Sequence, residues 1–426
     1  MRTLSVIGAG YVGLSLGVGF SDFGYRVILV DVDVNKVKMI NSGISPMQEK
    51  GIDEALREVL DKGRLEATTS IDYAIENSDA TFVCVQTPSN KNGSINLKFV
   101  LGAAREIGKN LMKKDEHLVV IKSTVVPGTT ENKIIPIIER RSGKRAGKDF
   151  GICMSPEFLS EGTALCNFFK PDRIVIGEFD KRSGDSLESI YSVFDQNIPR
   201  IRVDLKTAEM IKYASNAFIG TKISFANEIG NMCKVLGIDG RKVMEAVALD
   251  HRFSKYFMKP GMSFGGPCLE KDLTAIICLM NRRGYNPKLL KSVVELNRMQ
   301  TKKLIGLVKN KIKDKKVRRV GILGLSFKRG TSDVRDGCAI RIIPELINEN
   351  VDIIAYDPIS EENMRAIFPQ VDYRDGPQDV INDSEVVIIL TDYEEFIDLD
   401  YAGKIVIDGR GIIPSRACGE YEGMCW

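Results

Sequence analysis

The sequence predicts an α/β protein made of two Rossmann-like, doubly wound domains joined by a central helical region. Three observations lead there. Short β-branched runs alternate with helical patterns through roughly residues 1–200, strand signals disappear over about 201–305, and the alternation returns from 306 to 426. A chain of 426 residues is also too long for one ordinary core.

In the first segment Leu4–Ile7, Val27–Val30, Ala80–Val85 and Leu118–Ile121 read as buried parallel strands, with amphipathic stretches such as Asp53–Asp61 and Val100–Met112 between them. In the second, Lys206–Leu236 is rich in helix formers and nearly free of breakers. Asp239–Ala248 continues helically after Gly237, and a Pro/Gly-rich stretch from Lys259 to Pro267 interrupts the pattern before it resumes through Met280 and Leu307. The basic stretch Lys309 to Arg319 reads as a solvated helix end and linker. Beyond it Val320–Leu323, Val351–Ala355, Val386–Leu390 and Ile405–Ile407 are the strands of the last domain. These three segments read as an N-terminal α/β domain, a central helical region and a second α/β domain.

Composition narrows the function classes. The hydrophobic fraction is 43% and the charged fraction 27%, as in ordinary globular proteins, and a net charge of +3 argues against nucleic acid as a partner. Nine cysteines lie scattered with no CxxC pair, which fits a reducing compartment and offers neither a disulfide scaffold nor a zinc signature. Only His117 and His251 are present, so no metal centre built on histidines is expected. No apolar run is long enough to span a membrane. The apolar stretch Leu4 to Phe20 carries glycines and precedes a strand, as in a folded βαβ unit rather than a leader, and the protein reads as cytoplasmic.

Gly8-Ala9-Gly10-Tyr11-Val12-Gly13 follows a predicted strand and opens a helical pattern. The first glycine permits a tight turn, the second lets pyrophosphate approach the backbone, and the third allows close helix–sheet packing. A glycine-rich turn alone is a weak signal. Asp31 strengthens it, ending the second strand where a carboxylate accepts the adenosine ribose hydroxyls and repels a 2′-phosphate, so NAD is expected rather than NADP. Lys36 lies near enough to offset part of that repulsion.

The stretch Ser263 to Asp272 is the most informative. Cys268 would open a helix whose amides and dipole stabilise a thiolate, Pro267 suits the first helical turn, and Asp272 follows one turn later on the same face. Burial as a small hydrophobe is the usual fate of a cysteine and is expected for the other eight. Lys212/Asn216 and Glu157/Glu161 form two further i,i+4 pairs, ordinary by themselves.

Taken together these motifs resemble the nucleotide-sugar 6-dehydrogenase family, which includes UDP-glucose and GDP-mannose dehydrogenases. The resemblance runs almost from end to end: GAGYVG, QTPS with Thr87, KSTVVPGT with Thr124, PEFLSEG, AEMIKYASN, FANEIGN, KPGMSFGGPCLEKD and GLSFKRGTSDVRD. It implies a four-electron oxidation in which Cys268 adds to an aldehyde-level intermediate and forms a thioester that water hydrolyses. Lys212 and Asn216 would stabilise the oxyanion, while Thr124, Glu161 and Asp272 would position or activate water, with Glu161 a candidate base. Beside the glycines, Tyr11, Val12, Asp31 and Lys36, the cofactor would meet Thr87, Thr124, Glu161, Lys271 and Arg335. The sugar nucleotide would meet Glu157, Phe158, Leu159, Lys212, Asn216, Tyr256, Gly265 and Lys328. Arg252 resembles an arginine lent by a partner subunit, which implies a homodimer or larger homo-oligomer.

Several positions depart from the family pattern: Ser155 replaces a common asparagine, Pro267 a serine and Glu270 a proline. Glu270 is expected to disfavour the Cys268 thiolate by like charge. The sugar is read as UDP-glucose from Glu161-Gly162 and Lys170 to Gly177, against GDP-mannose-like features at Thr87 to Gly93 and at the C-terminus. A two-electron 3-hydroxyacid dehydrogenase would need neither Cys268 nor the last domain. A silent nucleotide-sugar sensor would be expected to have lost Cys268, Lys212, Asn216 or Asp272.

Overall fold

The computed structural model of the chain describes residues 2–114 and 116–426. Its internal contacts divide it into two compact units, with the boundary between Ser215 and Asn216.

The first unit is built on one eight-stranded sheet: β1 (Thr3–Ile7), β2 (Arg26–Val30), β3 (Leu65–Thr68), β4 (Ala80–Val83), β5 (Leu118–Ile121), β6 (Gly151–Met154), β7 (Ile174–Glu178) and β8 (Arg200–Asp204). Their order is β3-β2-β1-β4-β5-β6-β7-β8, and only β6 and β7 pair antiparallel. The first six reproduce the doubly wound Rossmann order, with the topological switch between β1 and β4. The strands are apolar on both faces because both are covered. Leu4, Val6, Val27, Leu29 and Val120 belong to one core, whereas Ile7, Ile28, Val30, Val119 and Ile121 belong to the other. Each fully buried aliphatic side chain of this kind contributes about 1.5–3 kcal/mol.

The second unit carries the helices Gly240–Val247, Leu269–Arg282 and Lys288–Lys315, followed by a six-stranded sheet. The strands are β9 (Arg319–Leu323), β10 (Asp352–Tyr356), β11 (Asp372–Tyr373), β12 (Val386–Ile389), β13 (Tyr401–Asp408) and β14 (Cys418–Gly423). Their order, β11-β10-β9-β12-β13-β14, is all parallel and again doubly wound. The helix Leu205–Val235 is continuous across the boundary between the units.

The basic stretch is a helix end and linker as expected: the helix runs to Lys315, exposed at Lys313 and Lys315, and residues 316–318 lead into β9, while Lys309 pairs with Glu345 and Glu349 and Lys311 with Glu420 and Glu422. Two expectations are corrected here. Burial does not hold for all eight other cysteines, since Cys166 is exposed and Cys84, Cys278 and Cys418 are only partly covered. Pro267 lies before the helix rather than in its first turn, because Cys268 is itself the N-cap.

Candidate active site

The turn after β1 is shaped as a dinucleotide cradle. Gly8 has φ +102°, and a Cβ there would lie 2.9 Å from the Cys84 carbonyl oxygen of the chain leaving β4. A Cβ on Gly13 would lie 1.8 Å from the Gly8 carbonyl oxygen, so only glycine lets the helix Tyr11–Asp22 close onto the turn. Gly10 differs: nothing stands within 4 Å of the place its Cβ would occupy, which leaves the helix N-terminus open to a phosphate. The Asp31 carboxylate, at the end of β2, accepts from the Ala9 amide (2.9 Å) and the Asp33 amide (3.0 Å) and is thereby fixed beside the turn. Lys36 is half-buried, and its own amide donates to Asp33, the cap of the next helix. Across the switch point, the Thr87 hydroxyl donates to the Thr124 carbonyl (2.8 Å).

In the same unit the loop after β6 turns Glu157 toward the long helix. The Lys212 ammonium lies 3.0 Å from Oε1 of Glu157, both side chains are about a tenth exposed or less, and the Leu159 amide donates to Oε2 of Glu157 (2.6 Å). The Phe158 ring lies beneath two cations, with the Arg173 guanidinium 3.9 Å and the Lys212 ammonium 5.5 Å from its centre. Glu161 is half-buried in this loop, which is anchored by a residue the sequence reading passed over. Glu49 accepts from the Gly162 and Ala164 amides, 2.8 Å each.

The second unit holds the other cluster. Cys268 is exposed and N-caps the helix Leu269–Arg282; its carbonyl accepts the first helical bond, from the Asp272 amide (2.9 Å). Asp272 is 1% exposed and held at both oxygens, by the Asn216 carboxamide (2.6 Å) and the Lys271 ammonium (2.5 Å). Asn216, one turn after Lys212 on the long helix, is also buried. Glu270 does not face the sulfur as an unpaired charge: Arg298 (2.8 Å) and Arg341 (3.2 Å) neutralise it.

At the carboxyl end of the second sheet, Gly324 repeats the role of Gly8, with φ +89° and a Cβ position 2.4 Å from that of Thr391. Asp357 repeats that of Asp31 but is fully engaged, buried and accepting from the Leu325, Ser326, Ile359 and Ser360 amides. Lys328 follows that turn, half-buried, 5.7 Å from the centre of the Phe327 ring. Arg335 is exposed and pairs with Asp333. Arg252 and Tyr256 lie in an exposed stretch, Arg252 pairing with Asp250. His117 is not a proton shuttle: burial, aided by the Lys114 charge, pushes it down to about 3, and it bonds Thr81 at 2.7 Å within the core.

Two sheets of Rossmann order, one with a glycine turn facing an acid and the other ending in a lysine-bearing turn, define a dehydrogenase that takes a dinucleotide and a second nucleotide. The chain belongs to the UDP-glucose/GDP-mannose dehydrogenase family and is an NAD-dependent nucleotide-sugar 6-dehydrogenase. That family's NAD binding domain matches residues 2–195, its central domain 206–299 and its UDP binding domain 321–415. Over 99% of both chains, the sequence is 42% identical to UDP-glucose 6-dehydrogenase AglM of Haloferax volcanii. It is 39% identical to the GDP-mannose 6-dehydrogenase of Pseudomonas aeruginosa, over 99% of this chain and all of that one. The structure of a UDP-glucose dehydrogenase from Pyrobaculum islandicum superposes with a TM-score of 0.95 at 39% identity, covering 100% of this chain and 98% of the other.

Among the described residues, no helix is long and apolar enough to cross a membrane, and no group of three or more His, Cys, Asp or Glu is placed to hold a metal ion.

Proposed function

We propose that the chain oxidises UDP-glucose to UDP-glucuronate through a thioester on Cys268. The observation that carries this is an exposed cysteine at a helix N-cap, one turn from a buried carboxylate held at both oxygens. A two-electron alcohol dehydrogenase has no use for such a nucleophile. The preference for UDP-glucose rests on Glu161-Gly162 and Lys170–Gly177, and the similarity to the Haloferax and Pyrobaculum enzymes supports it.

NAD, when bound, accepts hydride from C6. Gly8, Gly10, Tyr11, Val12 and Gly13 would hold its pyrophosphate and Asp31 its adenosine ribose, with Lys36, Thr87, Thr124, Glu161, Lys271 and Arg335 completing its surroundings. The open space at Gly10 and the fixed Asp31 carboxylate suit that group.

Oxidation of the C6 alcohol yields an aldehyde with loss of a proton. The Cys268 sulfur then forms a bond to the aldehyde carbon, and the oxyanion takes a proton, stabilised by Lys212 and Asn216. The thiohemiacetal then gives up a second hydride from C6 together with its hydroxyl proton, which leaves a thioester. Water, directed by Thr124 and Glu161, adds to the thioester carbon, and the C–S bond breaks to return the thiolate and release the carboxylate. Asp272, bonded to Asn216 and Lys271, would share in positioning that water. Glu157, Phe158 and Leu159 line the sugar side, Tyr256 and Gly265 pack around it, and Lys328 meets the pyrophosphate of the substrate. The nine cysteines, none in a disulfide, suit a cytoplasmic setting.

The test is the NADH formed per sugar nucleotide consumed, with UDP-glucose and GDP-mannose offered separately. Two NADH per UDP-glucose, with GDP-mannose inert, is the expected result. Turnover of GDP-mannose alone would replace the sugar assignment, and one NADH per substrate would overturn the thioester route.

We also propose a homodimer or larger assembly in which Arg252 reaches a neighbouring copy. Phe218, Phe225 and Met232, seven residues apart on the long helix, are 66%, 50% and 55% exposed, and Val235 is 87% exposed. Such a seam is costly to leave in water. Light scattering should report at least a dimer for the native chain and a monomer for Phe225→Glu; a monomeric native chain would overturn the assembly.

A further inference from the structure

We propose that three buried carboxamides, Asn227, Asn297 and Gln300, are positioning residues that fix the segment 261–264 and thereby the approach of Cys268. The inference rests on reading Cys268 as the nucleophile and deepens it.

The segment leading to Cys268 has no helix or strand partners for its backbone, yet Gly261, Met262, Ser263 and Phe264 are buried. Buried N–H and C=O groups must find partners, and here side-chain amides supply them. Asn297 accepts from the Phe264 amide (2.8 Å) and donates to the Phe264 carbonyl (3.0 Å), satisfying both groups of one residue as a neighbouring strand would. Asn227 accepts from the Gly261 amide (2.8 Å) and donates to the Met262 carbonyl (3.0 Å). Gln300 donates to the Gly261 carbonyl and is itself oriented by Asn231 (2.9 Å), which in turn accepts from Lys303 (2.5 Å). All three carboxamides are 1% exposed.

They come from two helices that flank the segment, Leu205–Val235 and Lys288–Lys315. On its far side the segment has no slack. A Cβ on Gly261 would lie 2.9 Å from the Gly409 carbonyl oxygen, and one on Gly265 would lie 2.7 Å from that of Asp336. Held from both sides, residues 261–265 can deliver Cys268 in only one register, and a nucleophile misplaced by about 1 Å costs on the order of a hundredfold in rate.

The sulfur is needed only for the aldehyde-to-acid half of the reaction, which separates positioning from general scaffolding. In Asn297→Ala, uronate formation should fall roughly 10- to 100-fold with KM values changed less than about threefold. The aldehyde should escape, so NADH formed per uronate rises above two, and iodoacetamide labelling of Cys268, read by peptide mapping, should change several-fold. Asn297→Asp, which keeps the acceptor and loses the donor, should fall between. Leu304→Ala, a fully buried core change on the same helix, should lose comparable stability while keeping two NADH per uronate. Should Asn297→Ala fail to fold, Asn227→Asp carries the same expectation.

Equal stability loss in the Asn297 and Leu304 variants, with two NADH per uronate and unchanged Cys268 labelling in both, would overturn the proposal. Failure of the nucleophile reading would look different: Cys268→Ala would still make uronate, whatever the labelling rate in the carboxamide variants.

Discussion

Cys268→Ala should lower uronate formation by several orders of magnitude, since removing the covalent nucleophile from a preorganised site can cost about 10⁶ in kcat. The fold should be untouched. The side chain is exposed at the start of its helix, so removing the sulfur opens no cavity, and the first helical bond uses the Cys268 carbonyl, which alanine retains. A single-turnover experiment should still show up to one NADH per active site, because oxidising an alcohol to an aldehyde needs no sulfur. The hydrated aldehyde can itself be oxidised, and that slow route sets the floor of the expected loss. Steady-state uronate production within tenfold of the native rate would sink the thioester mechanism.

Much of the fold was legible because both sheets are covered on both faces. Continuous apolar runs such as Val27–Val30 and Val386–Leu390 announce strands without periodicity having to be judged. Strands at the rim of each sheet were harder to see. Leu65–Thr68 is four residues long with alternating burial, and Cys418–Gly423 is half polar, because an edge packs on one side only. The antiparallel β6–β7 pairing left no mark in the sequence, since strand direction depends on the path of the connecting chain.

The site was legible where chemistry demands particular residue types in close succession, as in Gly8 to Gly13 and Cys268 to Asp272. Asn227, Asn297, Gln300 and Glu49 carry no such signal. Each bonds backbone groups 33 to 115 residues away, and nothing in the sequence around them records which loop they serve. A buried asparagine on an otherwise apolar helix face is the one available hint, because it must be paired with something. Glu270 shows the converse: adjacency to Cys268 suggested an electrostatic penalty that Arg298 and Arg341 remove from 28 and 71 residues away.

Lys212→Ala should combine two losses, which a second substitution can separate. As a donor to the developing oxyanion, the ammonium is expected to supply a factor of about 10²–10³ in kcat, the usual effect of deleting one such donor. As the partner of Glu157 it is also structural. Both side chains are nearly excluded from water, so truncating the lysine strands a carboxylate and should cost about 3–5 kcal/mol of stability in the unit that contains the pair. A loss of activity in Lys212→Ala alone therefore says little. Glu157→Gln added to Lys212→Ala removes the stranded charge while keeping an acceptor for the Leu159 amide, so most of the stability should return. If Lys212 acts on the oxyanion, kcat will stay low in the double variant even though the midpoint of chemical denaturation recovers. Recovery of kcat together with stability would show that the lysine served the ion pair alone, and oxyanion stabilisation would then fall to Asn216.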